Sequence, residues 1–219
     1  MQPSDRACTM VASPFRQDLK KSPPQAGPME CSAGFERRRP HNLTFAGGYL
    51  RPAGKHDFED VLRILRYLHV RRYLSDGRLL SSGDVVSLLD QNADLRAQGL
   101  GLWIIGNECT QTAGLAALEP GQVENTTRPA TEKTCIAYVA LEPQYLGRGL
   151  ATKALAALAL YGRKTLGLDK LCAAVDQPNH AARQMLRRAG FFRIGTVPGP
   201  LHERSLYDLA LANAVARTD

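Results

Sequence analysis

Gln144-Tyr-Leu-Gly147-Arg-Gly149 carries the clearest chemistry in this chain. It follows a strand-like run, Thr134 to Ala140, and precedes an Ala/Leu-rich segment with helical spacing, Leu150 to Leu166. A strand, a glycine turn and a helix start together make an anion site. The first turn of a helix leaves backbone N–H groups unpaired and carries partial positive charge. Gly147 and Gly149 let the backbone approach a ligand in conformations that a Cβ would oppose. Arg148, between them, can add a charge-assisted contact to phosphate. The bare residues therefore predict a phosphate or pyrophosphate cradle between Gln144 and Ala151. No Gly-Lys-Ser/Thr follows, so it is not a Walker A loop, and the glycines do not follow G-x-G-x-x-G.

The pattern Q-x-x-G-x-G resembles the acyl-CoA-binding motif of the GNAT superfamily of N-acetyltransferases. The resemblance continues in order through a strand at Lys170 to Val175, Asn179, a short helix ending at Gly190-Phe191, and a last strand near Leu206 to Leu209. That order, with Val70 to Gly77 upstream, looks most like the RimJ/RimL-type branch, over roughly Gly48 to Leu211. It implies an α/β (α+β) fold: a mixed, mostly antiparallel sheet of six or seven strands, splayed where the cofactor enters, with helices on both faces. It implies acetyl-CoA as co-substrate, no metal, and a primary amine as acceptor, on a protein N-terminus or a small molecule. The pantetheine arm would pair along Val139 to Leu141. The pyrophosphate would meet the turn headed by Gln144, at Tyr145, Leu146, Gly147, Arg148, Gly149, Leu150, Ala151 and Thr152. Asn179 would contact the cofactor arm, the alternative being a helix cap.

Two positions depart from the family. Its usual tyrosine acid is replaced by Leu186, and the serine of the RimJ/RimL branch by Ala182. Neither can protonate a leaving thiolate, which leaves water, a substrate group or Tyr138. A silent acyl-CoA-binding module working through a partner is thus the second functional reading, and an unrelated nucleotide-phosphate binder the third. For a general base the loop Leu201 to Arg204 offers His202, a residue type that can accept a proton from an ammonium, and Glu203; the alternative is a solvated hairpin turn. Glu119 and Glu142 are further carboxylates at strand ends. Tyr73, Trp103 and Tyr145 could line an acceptor pocket or simply the core.

The elements that must position these groups are readable in outline. Phe45 to Pro52 reads as a first strand. Asp57 reads as the cap of a helix carrying Phe58, Val61, Leu62, Leu65 and Leu68. Arg71 and Arg72 suit its C-terminal end. Ser82 or Asp84 reads as the cap of a second helix, with Val85, Val86, Leu88, Leu89 and Leu95 on one side. Gly99 to Ile105 and Thr112 to Leu118 read as antiparallel partners, followed by a polar loop from Glu119 to Thr131. In the long helix Leu150, Ala154, Leu158 and Tyr161 form an apolar stripe with Leu155 beside it, and Gly167 ends it.

The chain has 219 residues, 44% hydrophobic and 22% charged, as one globular domain with a tail would have. Residues 1–45 are rich in Pro, Ser, Gln and basic residues and read as a disordered or extended tail; 46–219 read as the acetyltransferase domain. A net charge of +7 favours anionic partners, from CoA phosphates to an acidic or ribosome-associated acceptor, without indicating nucleic acid directly. Five cysteines lack C-x-x-C spacing, so neither a zinc site nor a disulfide framework is indicated, which suits a reduced cytoplasm. No apolar run is long enough to span a membrane and no secretory signal is visible. Monomer and homodimer stay open.

Overall fold

Uninterrupted runs of Ala, Leu, Ile and Val become the central strands, where β-branched and apolar residues fill a pleated, buried surface. The structure is a computed structural model that describes residues 40–109, 111–121 and 133–211. In it β3 (Gly101–Asn107), β4 (Thr112–Pro120) and β5 (Thr134–Leu141) form an antiparallel meander. β1 (Leu43–Phe45) and β2 (Gly48–Pro52) extend it on one side. β6 (Lys170–Asp176) joins β5 in parallel, and β8 (Arg204–Ala210) and β7 (Phe192–Val197) complete the order β1-β2-β3-β4-β5-β6-β8-β7. The sheet is mixed and mostly antiparallel, with eight strands in place of six or seven. The single strand expected from Phe45 to Pro52 is instead a hairpin. Gly47, at φ 94°, reverses the chain, and β1 begins at Leu43, inside the stretch expected to be tail. That tail, up to residue 39, and most of the loop after Glu119 lie outside the described residues.

Helices cover both faces, and the alternation along β3 shows how. Trp103 and Ile105 pack with α4 (Leu150–Tyr161), whereas Leu102 and Ile104 pack with α1 (Phe58–Arg66) and α3 (Ser82–Ala97). Trp103 is fully buried, with its ring edge-on to Tyr161 at 5.8 Å, so it is core and not part of an acceptor pocket. Leu150, Ala154, Leu155, Leu158 and Tyr161 are all buried, as the stripe predicts. A π-helical turn, Gly162–Leu166, follows α4, and Gly167 ends it at φ 64°. Cys135 and Cys172 are core residues and Cys109 is exposed.

The single helix expected after Asp57 is two. The chain leaves helical geometry at Tyr67 (φ −55°, ψ 135°) and restarts as α2 (Leu68–Leu74), which places Leu68 on the surface. The α3 cap is Ser81, one residue before the expected pair. Its Oγ accepts from Asp84 N–H at 3.1 Å, and Asp84 Oδ2 accepts from Ser81 N–H at 2.7 Å. Val86, expected on the apolar side of α3, is exposed.

Asp57 does not cap α1 with its side chain. Its carboxylate accepts from Gly54 N–H at 2.8 Å and from both Arg51 Nη atoms at 2.6 and 3.0 Å. Burial alone would push this carboxyl up, but the Arg51 hydrogen bonds and the Gly54 N–H outweigh it and hold it below the ordinary range. A carboxyl depressed in the folded state stabilises above its unfolded value and loses that contribution as pH falls through the folded one. Asp57→Asn should therefore lower the urea midpoint at pH 7, and the gap to wild type should close as pH falls below about 4.

Candidate active site

β5 and β6 pair over three residues only: Thr134, Cys135 and Ile136 against Lys170, Leu171 and Cys172. Beyond that each strand stays with its other neighbour, β4 or β8, and the sheet opens into a wedge. Glu142 N–H bonds to the Ala113 carbonyl at 2.9 Å, which sets the direction of the β5 backbone. By alternation Ala140 and Tyr138 turn their backbone groups towards β4, and Leu141 and Val139 turn theirs into the wedge. One of these is taken: His69, on α2, lies with Nε2 2.9 Å from the Leu141 carbonyl. A carbonyl only accepts, so Nε2 carries the proton there. Val139 N–H and C=O are thus presented as a neighbouring strand would find them, whereas the Leu141 carbonyl is already engaged.

The wedge has two distinct walls. Tyr73, Leu74, Tyr138 and Asp176 line it on the α2 side. Val139, Leu155, Met185 and Leu186 line it on the side of α4 and α5 (His180–Arg188), with Asn179 and Ala182 at the start of α5.

Beside the wedge stands the glycine turn. Gly147 and Gly149 both take left-handed φ, 74° and 75°, and a Cβ built on either meets no atom within 4 Å. Gly147, Arg148 and Gly149 are exposed. Gly149 caps α4, and the first helical bond runs from Lys153 N–H to the Gly149 carbonyl at 3.1 Å, so the N–H groups of Leu150, Ala151 and Thr152 have no helical acceptor. The site fits a pyrophosphate: open space, successive N–H groups at the helix start and the exposed guanidinium of Arg148.

The cradle is shorter than expected at its start. Tyr145 N–H bonds the Glu142 carbonyl at 3.0 Å and Leu146 N–H bonds the Pro143 carbonyl at 3.2 Å, so neither is available to an anion. The side chains of Gln144 and Tyr145 are braces too. Gln144 Nε2 donates to Glu142 Oε2 at 2.5 Å; Tyr145 Oη donates to Gln111 and accepts from Asn107, both at 3.1 Å. Glu142 is itself buried and held by Arg63 Nε and Nη2 at 2.9 and 2.6 Å. Arg63 also pairs with Asp60 at 2.7 Å, which accepts from Thr112 Oγ1. The loop is therefore bolted to α1 and to β4, and Glu142 and Tyr145 serve its shape. Glu119 lies elsewhere, in a shallow recess under α3 beside Asn92.

Asn179 is the helix cap of the alternative reading, and it also stands on the wedge wall. It caps α5, with Oδ1 accepting from Ala182 N–H at 3.1 Å, and it lines the wedge. Ala182 and Leu186 also line it, where the absent acids would stand. His202 and Glu203 do not. They lie on the β7–β8 connection, where Gln177 bonds Glu203 through both backbone and side chain. What reaches the wedge is the neighbouring group, missed in the sequence: Asp176, whose Oδ1 accepts from Arg204 Nε at 2.8 Å, with Arg204 Nη2 bonded to Asp76 at 2.9 Å. Its only signal is a carboxylate at the end of β6; its partner Arg204 is brought opposite by register, and Arg204 is itself held by Asp76, 128 residues before it. Among the described residues no group of three or more His, Cys, Asp or Glu could hold a metal, and no helix is long and apolar enough to cross a membrane.

A sheet opened between its parallel strands, beside a left-handed glycine turn that starts a helix, defines a class, and comparison with known families agrees. The chain belongs to the acetyltransferase (GNAT) domain family, whose profile matches residues 49–192. Its fold is shared by a GNAT-family acetyltransferase from Bacillus anthracis, at 17% identity and TM-score 0.64 over 78% of this chain and 99% of that one. It is shared by an aminoglycoside acetyltransferase in complex with coenzyme A, at 22% identity and TM-score 0.63 over 77% and 97%. RimL, a ribosomal L7/L12 alpha-N-protein acetyltransferase in complex with coenzyme A, aligns at 15% identity and TM-score 0.63 over 75% and 94%. No match is found among curated proteins.

Proposed function

We propose that this chain is an acetyl-CoA-dependent N-acetyltransferase of the RimJ/RimL type that acts on a primary amine by direct attack on the thioester. The observation that carries the proposal is the succession of two features along the chain: the β5 edge at Val139, which β6 does not pair, and the exposed helix start at the head of α4. The pantetheine arm would take the first as an added strand, and the pyrophosphate the second. A helix end alone contributes only about 0.3–1 kcal/mol to an anion, so the wedge must supply most of the affinity through strand pairing and apolar burial. A similar structure, a spermidine N-acetyltransferase from Vibrio cholerae, is in complex with CoA and spermine, which supports an amine as acceptor.

The amine nitrogen attacks the thioester carbon, the C–S bond breaks, and the proton shed by nitrogen must reach the departing thiolate. Ala182 and Leu186 supply none; the hydroxyls on the wedge wall are those of Tyr73 and Tyr138. Alignment of the reactants alone supplies about 7–11 kcal/mol in favourable cases. The reaction can therefore run without a dedicated acid, but slowly. Ala182→Ser, which puts a hydroxyl on this wall, should raise kcat about tenfold and leave the KM for acetyl-CoA unchanged.

The test is release of free thiol from acetyl-CoA over a panel of peptides with free N-termini, spermidine and an aminoglycoside, with acetylated product identified by mass. Saturable transfer to one class supports the reading. The missing acids favour a second reading, a silent acyl-CoA-binding module. Tight acetyl-CoA binding without turnover, in wild type and in Ala182→Ser alike, would establish it.

A further inference from the structure

We propose that Asp176 recognises the acceptor, and that the acceptor enters as a primary ammonium ion. The inference deepens the acetyltransferase reading and rests on it for the reaction that follows binding. Asp176 is 2% exposed and lines the wedge, yet only one of its carboxylate oxygens is used. Oδ1 accepts from Arg204 Nε at 2.8 Å. Oδ2 is buried and has no hydrogen-bond partner. Buried carboxylate oxygens are ordinarily satisfied, and one left open beside a cleft calls for a donor that arrives with a ligand.

The placement suits an amine acceptor and not the cofactor. Along β6, Leu171, Ala173 and Val175 pack on the α4 side, so Asp176 shares the opposite face with Cys172 and Ala174. That is the face of Tyr138 and of α2, across the sheet from the glycine turn. Arg204, opposite Asp176 in the β6–β8 register and itself buried, fixes the carboxylate and is held in turn by Asp76 from the loop after α2. It is a positioning residue. Two carboxylates face one guanidinium in this corner. Tyr138 puts an aromatic ring on the same wall, which suits a cation; the Tyr73 ring beside it already carries the Arg72 guanidinium, 5.5 Å from its centroid. The overall charge of +7 does not oppose this, since charges beyond about 8 Å are largely screened at physiological salt.

The test uses the full chain saturated with coenzyme A and needs no turnover. NMR titration of wild type with alaninamide and with n-pentylamine should show saturable binding, with the largest shifts at Asp176 and Arg204. 1-Pentanol, of similar shape and uncharged, should bind about tenfold or more weaker. Asp176→Asn keeps an oxygen for Arg204 and should weaken both amines by about tenfold or more while acetyl-CoA affinity is unchanged. Equal binding of pentylamine and pentanol, unaltered amine affinity in Asp176→Asn, or no amine binding to wild type would each overturn the proposal. The pentanol comparison decides the matter even if the variant does not fold. Amine binding that depends on Asp176 but is never followed by acetyl transfer would overturn the acetyltransferase reading and leave this one standing.

Discussion

Gly147→Glu should weaken acetyl-CoA binding by about a hundredfold or more, equivalent to about 2.7 kcal/mol, in a protein that still folds. The fold survives because a Cβ at Gly147 meets no atom within 4 Å and the position is exposed. Its φ of 74° costs a non-glycine residue about 1–2 kcal/mol, a tolerable loss for a domain of ordinary stability. Binding does not survive, because the new carboxylate stands where the pyrophosphate must approach the N–H groups ahead of α4, and like charge replaces attraction. Calorimetric titration of both proteins, with circular dichroism to verify the variant's fold, reads the effect.

Arg63→Met should cost about 1–2 kcal/mol of stability, the half-exposed guanidinium being screened by water, read as a lower urea midpoint at unchanged slope. Glu142 is 4% exposed, and Arg63 gives it two of its three hydrogen bonds; without them a buried carboxylate keeps only Gln144. The loss should be partly recovered in the double variant Arg63→Met, Glu142→Leu, since removing both charges costs less than stranding one. The single variant should also weaken acetyl-CoA, because Glu142 starts the loop whose Pro143–Tyr145 turn delivers Gly147 to the head of α4.

The cradle was legible because its signal is local: two glycines at fixed spacing between a strand and a helix. The strands around it were legible for the same reason, each being an uninterrupted apolar run bounded by turn residues. Where the reading failed, the deciding contact is distant or directional. The apolar spacing through Leu65 and Leu68 runs on without glycine or proline, so nothing marks the break at Tyr67. β1 is only three residues long and exists because β2 is there to pair with. Ser81 and Ser82 are adjacent, and only geometry chooses the cap. Tyr145 and Trp103 are the right residue types for a pocket, but their rings turn to the β3–β4 hairpin and to Tyr161. His202 and Glu203 are chemically suited to a base but sit on the β7–β8 connection away from the wedge; the residue that reaches inwards is Arg204, which starts β8 and pairs in register with Asp176. Glu142 could not be assigned without Arg63, 79 residues earlier.

The most direct test of the account is a backbone NMR map of wild type titrated with acetyl-CoA. The account predicts saturable micromolar binding, with the largest shifts at Gly147 to Thr152, along Val139 to Leu141 and at Asn179, and little change at β1 or at the α3 face. Absence of binding to the folded chain, or shifts that spare both the glycine turn and the open edge of β5, would contradict it.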